Sequence, residues 1–273
     1  MASGEITKER IEELKAGHKV LAEFRYEPPA VEKGYAGQSL YVNLSENEIA
    51  AKPVDEMMKK TFVGGRGFDL WLLWNAVNGE TKWDSPENEV VIAAGPIGGI
   101  TQYPGTGKSI AVSISPLTGS VVDSNVGGYF GPLLKFAGFD AIEVQGLANE
   151  EVIVLIDGDE GLIQILEAPE ESVNSHQLAE EMAAVFAQKP ADKRGISSVS
   201  AGVGADHTRM GCLNFSFYDT RREVARLKQA GRGGIGTVLR HKKVKALVVK
   251  YGGLKGDSNH PDDLETIQET GAK

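Results

Sequence analysis

Gly127-Gly128-Tyr129-Phe130-Gly131-Pro132-Leu133-Leu134-Lys135-Phe136 runs on to Ala141-Ile142-Glu143-Val144, and the return of this stretch later in the chain decides the fold. Pro132, with its fixed φ, suits the first turn of a short helix reaching Phe136, and Ala141–Val144 reads as an apolar strand. Gly128, Gly131, Lys135, Ala141, Ile142 and Val144 have counterparts 105 residues later in Gly233, Gly236, Arg240, Ala246, Leu247 and Val249. Gly95 and Gly202, each after a strand-like segment, extend the match. The expectation is an α+β fold made of a duplicated β/α unit. Its copies would pack about a pseudo-twofold axis and bring two equivalent glycine loops to one place.

Working outward, alternation of Leu40, Val42 and Leu44 before Ser45-Glu46-Asn47-Glu48 predicts a hairpin. Asp55 to Thr61 and Phe68 to Val77 read as helices, with Phe68, Trp71, Leu72 and Asn75 on one face. Residues 90–94, 110–114 and 121–122 are strand-like, and residues 152–156 and 162–166 suggest a hairpin turning at Asp157-Gly158. Ser175 is placed as the cap of a helix burying Leu178, Met182, Val185 and Phe186. Strands follow at 196–199 and 213–217, helical stretches around 222–228 and 237–241, and a final strand at 244–249. The domain spans residues 36–252. Residues 1–35, with an amphipathic helical stretch from Thr7 to Lys15, read as an extension or docking arm, and residues 253–273 as a polar tail.

Composition limits the function. Of the 273 residues, 41% are hydrophobic and 25% charged, a balance ordinary for a folded chain. A net charge of -9 argues against nucleic-acid binding, which needs a basic face. No apolar run approaches the roughly 18 residues of a membrane span, and no apolar signal core opens the chain, so a cytoplasmic protein is expected. The single cysteine, Cys212, rules out an internal disulfide or a cysteine-built zinc or iron–sulfur site in this chain; it reads as a buried packing residue. The 33 glycines gather at 64–67, 95–107, 127–131, 202–211 and 231–236, as backbone does where it approaches something closely.

Two motifs mimic nucleotide sites. Gly231-Arg232-Gly233-Gly234-Ile235-Gly236 matches G-x-G-x-x-G, but the segment before it reads as helical, and Lys250 and Tyr251 occupy the region where a ribose-binding acid is needed. Gly105-Thr106-Gly107-Lys108-Ser109 resembles the end of a P-loop, but Gln102 replaces its first glycine and a strand follows where a helix belongs. Read with the repeat, Gly127–Gly131 and Gly231–Gly236 become two equivalent anion sites with Lys108, Lys228 and Arg232 nearby, suited to a ligand carrying two phosphates. Ser113, Ser115, His176 and His207 follow no triad spacing, and the histidines read as surface or capping residues. Trp71, Trp74 and Trp83 read as core aromatics.

A family resemblance rests on an ordered set of stretches. They are Val63-Gly64-Gly65-Arg66-Gly67, Ser85-Pro86-Glu87-Asn88, Ala93-Ala94-Gly95-Pro96, Ser115-Pro116-Leu117-Thr118-Gly119, Gly127-Gly128-Tyr129-Phe130-Gly131, Leu134 to Ile142, and Ala230 to Gly236. Together, from about residue 38 to 250, they resemble the N-terminal domain of the tungsten-containing aldehyde ferredoxin oxidoreductases. The resemblance implies a base under a tungsten (or molybdenum) bis-pyranopterin whose phosphates are bridged by Mg. By motif position Asn125 and Gly127 would carry the first loop's contacts, and Gln229, Gly231 and Arg232 the second's. Backbone carbonyls of Asn125 and Gln229 would reach the Mg. Lys108 and Lys228 stand where the family has arginines, keeping charge but not bidentate geometry, and Gln229 replaces an alanine.

Family members continue into helical domains that supply the [4Fe–4S] cysteines and the acid–base residues. The resemblance therefore implies a partner chain carrying those cysteine-containing domains, and a ferredoxin-like electron carrier. The expected function is the tungstopterin-binding subunit of a complex that oxidises an aldehyde or related carbonyl to an acid, inactive alone. The alternative is a non-catalytic scaffold that keeps the fold without metal.

Overall fold

A computed structural model describes residues 6–253 and 259–273. Helix α1 (Lys8–Gly17), N-capped by Thr7, leads into β1 (Lys19–Arg25). The hairpin β2 (Gln38–Asn43) and β3 (Glu48–Pro53) follows, then α2 (Glu56–Phe62), α3 (Arg66–Ala76) and β4 (Val90–Ala94). Next come β5 (Ser109–Ile114), β6 (Val121–Val126), α4 (Phe130–Phe136) and β7 (Ala141–Gln145). The second half runs β8 (Val152–Asp157), β9 (Leu162–Glu167), α5 (Ser175–Val185), β10 (Ile196–Ser200) and β11 (Leu213–Asp219). It closes with β12 (Val224–Ala230), α6 (Ile235–His241), β13 (Val244–Lys250) and α7 (Leu264–Ala272).

The duplication is complete at the level of topology. One sheet has the order β3-β2-β7-β4-β5-β6, and the other contains β9-β8-β13-β10-β11-β12, the same order strand for strand. Each has one parallel pair at the equivalent place, β2 with β7 and β8 with β13. Helices α4 and α6 lie between the sheets, α2 and α3 cover the outer face of the first, and α5 covers the outer face of the second. Leu133 and Leu134 of α4, Val238 and Leu239 of α6 and the inner faces of both sheets form one core. Across it Phe130 meets Phe215 edge-to-face at 5.7 Å, a geometry that adds about 1 kcal/mol to area burial. The base ending each central helix does equivalent work. Lys135 Nζ donates to the carbonyls of Gly95, Pro96 and Gly98, while Arg240 pairs with Asp206 and Glu151.

Several expectations are corrected. The stretch around 222–228 is a strand, β12. Its Arg, Leu, Lys and Gln residues favour helix, but pairing from Leu213↔Ala230 to Asp219↔Val224 overrides that weak preference. Asn174, not Ser175, caps α5, its side chain accepting from the amides of His176 and Gln177. Trp74 is 75% exposed rather than a core residue. The N-terminal arm joins the core, since β1 pairs with β9 as the outermost strand of the seven-stranded sheet. His18, expected at the surface like the other histidines, is clamped to buried Glu171, and Arg10 reaches fully buried Glu181 at 3.1 Å. The polar tail holds α7; its residues 254–258 lie outside the described residues. Among the described residues no helix is long and apolar enough to cross a membrane.

Candidate functional site

Strands β6 and β12 are the last strands of their sheets, and each runs directly into a glycine loop. The two loops meet. The Arg232 amide donates to Ser124 Oγ at 3.0 Å, and Ser115 Oγ donates to the Gly233 carbonyl at 2.7 Å. Gly233 lies on Val122, where a Cβ would come within 2.4 Å of Val122 Cγ1. Thus the pseudo-twofold arrangement expected from the repeat brings the second loop onto the strand that feeds the first.

A cavity of ≈ 280 Å³ opens beside the first loop, with Gly105, Gly107, Lys108, Gly127, Gly128 and Tyr129 from the first unit and Phe217 and Lys228 from the second. Gly107 is required sterically, because a Cβ there would lie 2.4 Å from the Gly128 carbonyl oxygen. Tyr129 meets Phe217 edge-on at 5.7 Å, closing the seam between the units. Lys228 Nζ sits 5.8 Å from the Phe217 ring centroid and the Arg226 guanidinium 5.9 Å from the same ring, so one aromatic positions two cations. Lys108 Nζ donates to Asn125 Oδ1 at 3.2 Å. Arg66, at the start of α3, pairs with Asp123 of β6 at 2.8 Å. Among the described residues, Lys108, Lys228 and Arg232 have no carboxylate within ion-pairing distance. In a chain of net charge -9, exposed cations gathered near glycine backbone are chemically suited to an anion.

Of the residues singled out from the sequence, Lys108, Gly127 and Lys228 line the cavity. Asn125 joins it through Lys108, and Gly231 and Arg232 form the adjoining loop. The Gln229 side chain instead reaches Asn214 at 3.5 Å, because neighbouring residues of a strand point to opposite faces. The same alternation puts Arg226 beside Lys228. Arg226 and Phe217 escaped the sequence reading, since a helical 222–228 hides that i, i+2 relation; Tyr129 had only its place in the glycine motif. The strand before Gly231 removes one objection to a dinucleotide fold, but β12 and β13 are not neighbours and the adjacent strand, β11, is antiparallel. No βαβ unit is formed. His207 is exposed, and Cys212 is half-buried.

This duplicated two-sheet α+β domain has the fold of a known oxidoreductase family's N-terminal domain. Residues 39–251 match that family's model, "Aldehyde ferredoxin oxidoreductase, N-terminal domain", and the chain belongs to the family. It is 35% identical over 217 residues to the tungsten-containing aldehyde ferredoxin oxidoreductase of Pyrococcus furiosus, and 33% identical to that of Pyrococcus horikoshii. Each match covers 80% of this chain and 33% of the relative, so the chain spans about a third of their length. An aliphatic sulfonate oxidoreductase, WOR-like subunit, of Pyrococcus furiosus is 30% identical over 236 residues, covering 80% of this chain and 35% of that protein. Among solved structures, the active-site complex BamBC of benzoyl coenzyme A reductase with 1,5-dienoyl-CoA superposes with a TM-score of 0.69. It is 27% identical, over 83% of this chain and 31% of that one.

Proposed function

We propose that this chain is the tungstopterin-binding subunit of an aldehyde ferredoxin oxidoreductase-like complex that oxidises an aldehyde or related carbonyl to an acid. The observation that carries this reading is a cavity between the first glycine loop and the strands of the second unit that bears Lys108 and Lys228, with the second glycine loop tied to the strand feeding the first. The residues fit the phosphate end of a bis-pyranopterin. Gly107 brings its backbone against the Gly128 carbonyl where a side chain would clash, Gly128 keeps a positive φ beside open space, and among the described residues the cations nearby lack carboxylate partners. Lys108, Lys228 and Arg232 would hold the phosphates, and backbone carbonyls of Asn125 and Gln229 the bridging Mg. Tungsten, or molybdenum, would supply the two-electron redox chemistry. The chain's own part is to bind, orient and shield.

Cys212 alone cannot supply a [4Fe–4S] cluster. The reading therefore assigns the cluster, the acid–base groups and most of the substrate pocket to a partner chain, with a ferredoxin-like carrier taking the electrons. The test is quantification of tungsten, molybdenum and pterin in the complex purified with its native partner. Stoichiometric metal with two pterins per chain is the expected result. A stable, metal-free complex would overturn the reading and leave a scaffold.

A further inference from the structure

A larger cavity, ≈ 550 Å³, lies between the outer face of the first sheet and helices α2 and α3. It sits over β2, β3 and β7, at the opposite end of that sheet from β6 and the glycine loops. Four strand spacings separate β2 from β6, roughly 20 Å. None of the anion-site residues lines it.

Its lining is acidic and aromatic. Glu143, 2% exposed on β7, is satisfied: Ser39 Oγ donates to Oε1 at 2.8 Å and Lys52 Nζ lies 2.9 Å from Oε2. Glu89, 1% exposed just before β4, is not satisfied, for its Oε2 is buried with no hydrogen-bond partner among the described residues. A buried polar atom left unpaired costs free energy and points to a missing partner. Lys52 shows what that partner looks like. Its ammonium rests 3.7 Å from the Tyr41 ring centroid while bonding Glu143, so this wall already receives a cation on an aromatic face. Trp71 and Met58 provide an apolar wall for a stem.

We propose that this cavity is a binding site for an organic cation, a guanidinium or ammonium group carried on an apolar stem, with Glu89 as its carboxylate partner. The wall favours this over a metal ion: among the described residues no group of three carboxylate, histidine or cysteine side chains is placed to hold one, whereas an aromatic and apolar lining suits a substituted cation. Burial, and then Glu143, push the Glu89 carboxyl up to about 8, with Lys52 and Lys242 opposing. Glu89 is therefore mostly protonated at neutral pH without a ligand, and an entering cation would release that proton. The site stands apart from the tungstopterin reading and does not depend on it.

The test uses the full chain and three probes of one shape: n-butylguanidinium, n-butylammonium and neutral n-butylurea. Calorimetry at millimolar probe should show binding of the cations and none of the urea, with proton release that strengthens binding as pH rises toward 8. Glu89→Gln should weaken binding by about ten-fold or more, the scale of losing a buried ionic partner. Lys52→Ala, which removes the competing ammonium, should tighten it. An arginine tripeptide with blocked ends separates the sources of the cation. Binding equal to butylguanidinium identifies a pocket for a side chain of another protein, and failure alongside bound butylguanidinium identifies a free small cation. Absence of cation binding, equal binding by Glu89→Gln, or Mn²⁺ occupying Glu89 in place of the organic cations would overturn the proposal.

Discussion

The backbone amide of Arg232 donates to the side-chain oxygen of Ser124 at 3.0 Å, tying the loop of one repeat to the outer strand of the other. Ser124 is 1% exposed, so its hydroxyl has little access to solvent. Ser124→Ala leaves the Arg232 amide without that partner and should cost about 0.5–1.5 kcal/mol. Urea unfolding at constant slope would measure it. The same variant should lose metal from the holo-complex faster, because the two loops would no longer be held in register.

Lys108 and Lys228 are exposed and, among the described residues, have no carboxylate partner, so charge removal there should spare the fold. Lys108→Ala, Lys228→Ala and Arg232→Ala should each lower cofactor content at unchanged melting temperature, and Asn125→Ala should do the same by releasing Lys108. Lys228→Arg should retain the cofactor, since the guanidinium keeps charge and adds a second donor. Metal analysis beside a thermal melt separates these outcomes. Unchanged metal in Arg232→Ala and Asn125→Ala together would remove the assignment.

Gly107→Ala places a methyl group 2.4 Å from the Gly128 carbonyl oxygen, a backbone atom with little freedom to retreat. One strand end or the other must shift. The expectation is destabilisation by about 1–3 kcal/mol together with loss of cofactor, read by denaturation and by metal content.

Glu89 makes stability depend on pH with a definite sign. Its folded carboxyl titrates at about 8, well above the unfolded value, so the folded state holds an extra proton between those two points. Stability from this group is present at low pH and is lost as pH rises from about 4.5 toward 8, with a slope approaching about 1.4 kcal/mol per unit. Glu89→Gln has no carboxyl to ionise. The stability difference between the variant and the wild-type chain should therefore grow in the variant's favour across that window, which urea titrations at several pH values would show.

Deleting residues 1–25 would strip β1 from β9 and leave Glu181 and Glu171 without Arg10 and His18. A bare β9 presents an unpaired strand edge, which invites pairing between molecules. The truncated chain should melt lower and elute as oligomers in size-exclusion chromatography. A monomer with unchanged melting temperature would mean that the arm is dispensable.

Much of this architecture is legible in the residues themselves. The β2–β3 hairpin shows because Leu40, Val42 and Leu44 alternate against one core, and α4 and α6 show because glycine and proline punctuate short apolar runs. Gly128 and Gly233 carry the duplication openly, as both hold a positive φ that side-chain-bearing residues rarely adopt. β12 stayed hidden because Arg226, Leu227, Lys228 and Gln229 carry good helix formers, and only partners on β11 make them a strand. With β12 went the placement of Arg226 against Phe217.

By itself the sequence determined the repeat, the family, the cation-bearing glycine loops and, through one cysteine, the lack of a cysteine-built cluster in this chain. Those are properties of local spacing and residue type. The tertiary structure alone decided that Ser124 meets Arg232, that β1 completes the second sheet, and that Glu89, Glu143 and Lys52 share one cavity. Each of these joins residues far apart in the chain. Strand register and sheet order bring them together, and no local pattern encodes register between distant strands.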